Sequence, residues 1–388
     1  MDIQSVVVPS YQPLPFPAPA WFLQVLLVLG FYLHALPMNV ILGGGFIASA
    51  LLFLGRNDKS SYTYRCGKAL ATSLPIFISF AITQGIVPLL FLQLLYGPAF
   101  YTSSILMGIS WLSIIGFLLF SYYLSYIVIY KYLKKEYSPA RASKASLILL
   151  VMACGFALIG FLFSNNMTLM LSPAKWLSIY KTSPFGTYLN IDEPQLLPRY
   201  LHMLVASIAV AGMTLGCFGL YIKKRNLEFA QYMLKLGSKI FLAATVMQLP
   251  IGFWFLKSIP IEMTQKFLGK DLICGSVFGA SMLLTLVAII AAAMVVVNTS
   301  TTSFKTALIA NALIILLMII NRHQLRLHYL APYVKPDLVP VNTQWDLLIV
   351  FIVSAVALIA YLIYLSKISI RAYAQNNTQI KSEGAESE

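Results

Sequence analysis

The sequence predicts an all-α, polytopic membrane bundle of about nine transmembrane helices, and three observations predict it. Hydrophobic residues make up 59% of the 388 positions and charged residues only 10%. The mean hydropathy is +0.80, which a soluble globule of this length cannot reach because it has no interior large enough to hide so much apolar surface. The third observation is the recurrence of apolar stretches of roughly 20 residues or more, the length a helix needs to cross a hydrocarbon core.

Taken in order, these stretches fall at 21–54, 74–97, 103–130, 146–171, 199–222, 233–256, 274–297, 304–321 and 347–366. The first follows a proline-rich segment, 1–20, that has no Lys or Arg. Lacking the basic start and small-residue cleavage site of a signal peptide, that segment reads as an external tail. The first span contains Gly43, Gly44 and Gly45, which suit close helix packing better than phosphate binding, because no strand-to-helix turn surrounds them. Spans one, three, five and seven each run into a basic connection. These carry Arg56, Lys59, Arg65 and Lys68, then Lys131, Lys134, Lys135, Arg141 and Lys144, then Lys223, Lys224, Arg225, Lys235 and Lys239, then Lys305. With Lys367, Arg371 and Lys381 of the C-terminal segment they account for 18 of the 27 basic residues.

Short basic connections stay in the cytoplasm, so the N-terminus is expected outside and the C-terminus inside the inner membrane of a bacterium. The membrane region is then 21–372, and 373–388 is a polar cytoplasmic tail expected to be disordered. The net charge of +14 follows from this topology and from anionic lipid, and nucleic acid is not needed to explain it.

Cys66, Cys154, Cys217 and Cys274 have neither CxxC nor CxxCH spacing, so a cysteine metal site and covalently attached haem are not expected. No phosphate loop, hydrolase elbow or zinc-protease motif occurs. All 13 carboxylates lie in connections or tails, which argues against a proton pump or proton-coupled transporter. Four histidines remain: His34 inside the first span, His202 at the outer end of the fifth, and His323 and His328 where the eighth meets the outer surface. Met282 lies about as deep in span seven as His202 does in span five. A His and a Met at matched depth can supply the two axial ligands of a low-spin haem b. Methionine is also ordinary membrane packing and an interfacial histidine is often only hydrogen-bonded, so spacing alone leaves both readings open.

Several segments resemble subunit I of the cytochrome bd quinol oxidases. Phe31-Tyr32-Leu33-His34-Ala35-Leu36 with Leu42-Gly43 is similar to the family's N-terminal haem-ligating histidine segment. Asn165-Asn166-Met167 with Ser172-Pro173 resembles its exit from span four. Arg199-Tyr200-Leu201-His202, with Val205-Ala206-Ser207 and Gly212-Met213, resembles the low-spin histidine segment, and Met282 resembles the second low-spin ligand. The resemblance implies nine spans, an external N-terminus, haem b as cofactor with His202, Met282 and His34 on haem iron, and quinol as redox partner. It also implies a quinol site at Lys257 and Glu262 between spans six and seven. Departures are specific. The paired glutamates of the family's third span are replaced in the region of Ser110 and of Leu118 to Ser121, and the glutamate ligand of span eight near Asn311 and Ala312. The family's Gly-Arg-Gln-Pro-Trp stands here as Asn321-Arg322-His323-Gln324-Leu325, and Ala280 replaces an arginine before Met282.

These losses strike the oxygen-reducing half of such a machine and spare the half that takes up electrons. The expected function is therefore a haem b-binding electron-transfer subunit. It would exchange electrons between the quinone pool and a second membrane subunit, a c-type cytochrome or another redox partner at the outer face. Arg322 is expected on a haem propionate, and His323 as a replacement ligand for the second haem. One alternative is a true quinol-dependent oxygen reductase in which Ser110, Ser121, Gln84 and Gln93 with waters replace the carboxylates. Another is a haem-free transporter or structural anchor, which Gln84, Gln248, Asn311, Pro37, Pro88 and Pro250 would suit. The absence of a detectable inverted repeat and of buried carboxylates weighs against the last.

Overall fold

The computed structural model describes residues 14–385. In order, the helices are α1 (Ala20–Leu54), α2 (Tyr62–Leu106), α3 (Gly108–Ile127, prolonged by a π-helical turn to Leu133), α4 (Pro139–Met170), α5 (Trp176–Thr182), α6 (Leu196–Ile222), α7 (Leu227–Ser258), α8 (Ile261–Gln265), α9 (Leu272–Asn298), α10 (Thr301–Leu330) and α11 (Trp345–Ala385). Among the described residues nine helices are long and apolar enough to cross a membrane, and the chain is an all-helical, multi-pass membrane protein. Residues 1–13 of the expected external tail lie outside the described residues.

Several helices start well before their apolar stretch. Ser61 caps α2 by accepting from the Tyr64 amide, Ser138 caps α4 with Pro139 in its first turn, and Asn226 caps α7. Hydropathy sees only the lipid-matching part of such helices. The break expected near 98–102 falls elsewhere: α2 kinks at Tyr96 (φ −131°, ψ 29°) and ends at Leu106, with Met107 as its C-cap. Pro98 explains the kink, because it has no amide to offer the preceding turn and its ring displaces that turn's carbonyl.

Leu23–Pro336 forms one compact unit, whose two largest cores among the described residues involve α6 and α7. The first is built from α1, α2 and α4, including Leu52, Leu70, Leu74, Leu149 and Met152, with Leu215 of α6 and Met233 of α7. The second is shared by α6, α7, α9 and α10, including Met213, Phe241, Ala292 and Phe304. The α6–α7 hairpin thus contributes to both cores. Helices in lipid gain little from hydrophobicity and associate through small residues that permit close approach. A β-carbon on Gly43 would overlap the Ser207 backbone of α6, and one on Gly45 would come within 2.9 Å of Ala153 of α4. The glycine triplet is a packing device, as its sequence context implies.

Connections carrying the basic residues gather at one end of this unit. Tyr137 donates to the Arg56 carbonyl, Tyr62 donates to Glu228 (3.1 Å), and Lys223 donates to Thr301 (2.7 Å). The opposite end is closed by the 171–195 connection, α8 and the end of α10, tied by Asn190 N–H to Asn165 Oδ1 (3.1 Å) and by Lys266 Nζ to His328 Nδ1 (2.9 Å).

Pro13–Phe22 and Asp337–Glu388 form the second unit. Here Phe16 donates to the Pro340 carbonyl (2.8 Å) and accepts from Asn342 (2.9 Å), an isolated parallel bridge. The backbone of α11 is helical to Ala385, so it covers most of the segment 373–388 expected as a disordered tail.

Candidate cofactor site

Three arginines lie at the end of the bundle opposite the basic connections. Arg322 and Arg326 stand one turn apart on α10, and Arg199 stands one turn before His202 on α6. Arg199 and Arg326 are buried. Each guanidinium rests over an aromatic ring, Arg322 over Phe31 (4.4 Å), Arg199 over Phe255 (5.4 Å) and Arg326 over Tyr96 (5.6 Å). All three are close enough to feel one another's charge, and His323 feels both arginines of its own helix.

No carboxylate among the described residues forms an ion pair with them. Among the described residues the ion pairs are Lys175–Glu193 and His328–Asp271. Glu193, the acid whose charge reaches Arg199, is engaged by Lys175 (3.0 Å) and by Gln195 Nε2 (3.0 Å). A cation–π contact returns about 0.5–2 kcal/mol, whereas a buried ion without an opposite charge costs several kcal/mol. The cluster is therefore suited to an anion delivered by a ligand. Around it stand buried polar atoms without hydrogen-bond partners: both ring nitrogens of His323, both side-chain polar atoms of Asn321, Oε1 of Gln195 and Nδ1 of His202. Such atoms are rare in folded interiors and mark places where something else is meant to sit.

His34 adjoins this cluster through Phe31, whose ring lies under Arg322 and 6.1 Å from the imidazole. Its Nδ1 lies 2.8 Å from the Ala81 carbonyl of α2. A carbonyl oxygen only accepts, so Nδ1 carries the proton, and the neutral ring keeps its lone pair on Nε2. Metal-binding histidines are oriented in the same way, the distal N–H fixed on a carbonyl and the other nitrogen free to ligate. Gly85 makes the placement possible, since a β-carbon there would lie 2.9 Å from two His34 ring atoms.

The remaining expected residues are less concentrated. The His202 ring lies against Gly252 of α7, about where an added β-carbon would make ordinary contact at 3.4 Å. Met282 is 37% exposed, on a face of α9 that also exposes Leu283, Leu286 and Ile290. Both α6 and α9 pack on α7. Lys257 is in the last turn of α7, its ammonium 4.7 Å from the Phe253 ring, and Glu262 is exposed in the first turn of α8. The segment that carries them is mostly helix, with α8 followed by a π-helical turn to Lys270.

Sequence reasoning singled out His34, His202, Arg322 and His323, which the structure places at this end. It gave no role to Arg199 and overlooked Arg326. The spacing of Arg322 and Arg326 by four inside an apolar helix was the available signal, because two like charges on one stripe of a membrane helix need a joint purpose.

No family model and no curated protein matches the chain. A chain of the bd oxidase of Geobacillus thermodenitrificans shares the fold, with a TM-score of 0.71 and 12% identity over 94% of this chain and 100% of that one.

Proposed function

We propose that this chain is a haem b-binding electron-transfer subunit of the bacterial inner membrane, similar to subunit I of cytochrome bd. It passes electrons between the quinone pool and a second membrane subunit or c-type cytochrome at the outer face. The observation that carries this reading is the trio Arg199, Arg322 and Arg326, two of them buried and the third partly so, paired with no carboxylate among the described residues and adjoining a histidine held in a ligating tautomer. Haem b needs an imidazole lone pair, apolar or aromatic walls and cations for its two propionates, and the residues present answer each need.

Bound haem b supplies a one-electron couple at the membrane surface. His34 would offer Nε2 to iron, its ring positioned by the Ala81 carbonyl and by the room that Gly85 leaves. Arg322, Arg326 and Arg199 would neutralise propionate charge, their guanidinium groups backed by the Phe31, Tyr96 and Phe255 rings. His202 and Met282 would be the candidate residues to hold a low-spin haem, and His323 a further candidate. At the quinol site Lys257 orients a head-group oxygen and Glu262 accepts a hydroxyl proton at its carboxylate. The only carboxylates in the described spans, Glu228 and Asp346, sit in first helical turns, so no acid deep in the bundle is at hand to carry protons to oxygen, and a redox partner is the acceptor this reading favours.

A reduced-minus-oxidised optical spectrum of the purified protein, with pyridine haemochrome quantification, tests this directly. We expect b-type haem in the wild type and loss of distinct components in His34→Ala and His202→Ala. A haem-free wild type after expression with ample haem sinks the proposal and leaves the transporter or anchor reading.

One observation favours the oxygen-reductase alternative. Ser79 Oγ lies 2.7 Å from the Tyr122 hydroxyl, which lies 3.0 Å from that of Tyr126, a hydroxyl chain joining α2 and α3 beside the Leu118–Ser121 segment. Rapid quinol-dependent oxygen uptake, abolished by Tyr122→Phe, would establish that reading in place of ours.

A further inference from the structure

At the same end of the bundle as the arginine cluster, three further potential metal ligands from α9 and α10 converge. Asp271 precedes α9, Cys274 lies in its first turn, and His328 lies in the last turn of α10. Their donor atoms all lie within 4.8 Å of one another. His328 Nε2 is 3.5 Å from Cys274 Sγ and 3.7 Å from Asp271 Oδ2. For tetrahedral zinc, bond lengths near 2.3 Å to sulfur and about 2.0–2.2 Å to nitrogen or oxygen put neighbouring donors roughly 3.4–3.6 Å apart. The observed separations come close to these values with no ion to draw the donors together.

From this we infer that Asp271, Cys274 and His328 form a zinc site with one open coordination position at the end of the bundle away from the basic connections. Thiolate, imidazole and carboxylate together suit a borderline-soft divalent ion. Cys274 is buried while Asp271 and His328 are partly exposed, so the sulfur is sheltered and the ion enters from water. Asp271 is already oriented: its Oδ1 accepts from the Cys274 amide (3.0 Å), which leaves Oδ2 facing His328.

Binding has a defined proton balance. Zinc displaces the thiol proton of Cys274 to solvent. Lys266 Nζ now donates to His328 Nδ1 at 2.9 Å, which places the imidazole proton on Nε2. Coordination through Nε2 requires the proton on Nδ1, so Lys266 must swing away, and its ammonium opposes the incoming cation. The site is thus a triad held in check by one lysine, and that lysine sets its affinity.

The test uses the full chain, purified with its affinity tag removed. Zinc bound after dialysis is counted by elemental analysis, and its first shell is read by X-ray absorption. We expect one zinc per chain with one sulfur at about 2.3 Å. Cys274→Ser and His328→Ala should weaken zinc by on the order of 100-fold, since even a partner of a ligand typically costs 10–100-fold. Cys66→Ser should change nothing, and Lys266→Met should tighten binding. The inference is overturned by a wild type that holds no zinc, by a first shell of nitrogen and oxygen alone, or by a sulfur signal that survives Cys274→Ser. The wild-type spectrum decides the matter even where a variant does not fold. None of these readouts depends on haem.

Discussion

The two ends of the bundle are built on opposite principles. At the basic end polar groups find partners within the chain: Ser49 and Ser146 donate to each other's carbonyl across α1 and α4 at 2.8 Å, and Ser61, Ser138 and Asn226 close helix starts. At the opposite end Arg199, Arg322 and Arg326 form no ion pair among the described residues, and His202, His323, Asn321 and Gln195 hold buried atoms with no partner. Membrane interiors penalise unmet polar groups most, so the satisfied end reads as scaffold and the unsatisfied end as a place reserved for a ligand.

The contrast breaks most sharply in the double variant Arg322→Leu with Arg326→Leu. It should lose haem by on the order of tenfold or more, about 1.4 kcal/mol or above. The haem-free form should gain up to about 1–4 kcal/mol in stability, because like charges leave the interior for apolar packing. Haem content and denaturant midpoint measured together settle it, and a fall in both would mean the arginines serve the scaffold. Next in size is Gly85→Val. Its side chain meets the His34 ring, so we expect about 1–3 kcal/mol of destabilisation from overpacking together with a changed or missing haem signal. An unchanged optical spectrum would remove His34 from the site.

Ser49→Ala probes the other end. An interhelical hydrogen bond in a membrane averages about 0.6 kcal/mol, so unfolding should shift by that order while haem content stays constant. The smallest effect is expected at Asp58. The Ser60 hydroxyl and amide both donate to Oδ1, at 2.6 and 2.8 Å, and hold the carboxyl below its ordinary value. A group so depressed favours the folded state above the unfolded aspartate pKa of about 4 and loses that contribution as pH falls through the folded value. The wild type should therefore exceed Asp58→Asn slightly at neutral pH, and the two melting curves should merge in acid.

Part of the site was legible in advance because the membrane makes polar residues conspicuous. His34, His202 and Arg322 stand out against apolar runs, and their segments resemble a known family. Arg326 escaped notice, and Cys274 was not expected at a metal site, because nothing in their local sequence announces the side chains that meet them. Helix starts were misjudged for a related reason: the first turns of α2, α4 and α7 are polar, and caps rather than hydropathy decide where they begin.

By itself the sequence determined the membrane class, the number of spans, the clustering of basic connections and the role of the glycine triplet. Each of these is written in contiguous residues, because bilayer thickness and close packing act on one stretch of chain at a time. Only the tertiary structure decided that Arg199 of α6 joins Arg322 and Arg326 of α10, that Phe31 carries Arg322 to the neighbourhood of His34, and that Asp271 and Cys274 meet His328. Those meetings depend on how separate helices rotate and cross when they pack, and no local period in the chain specifies that geometry.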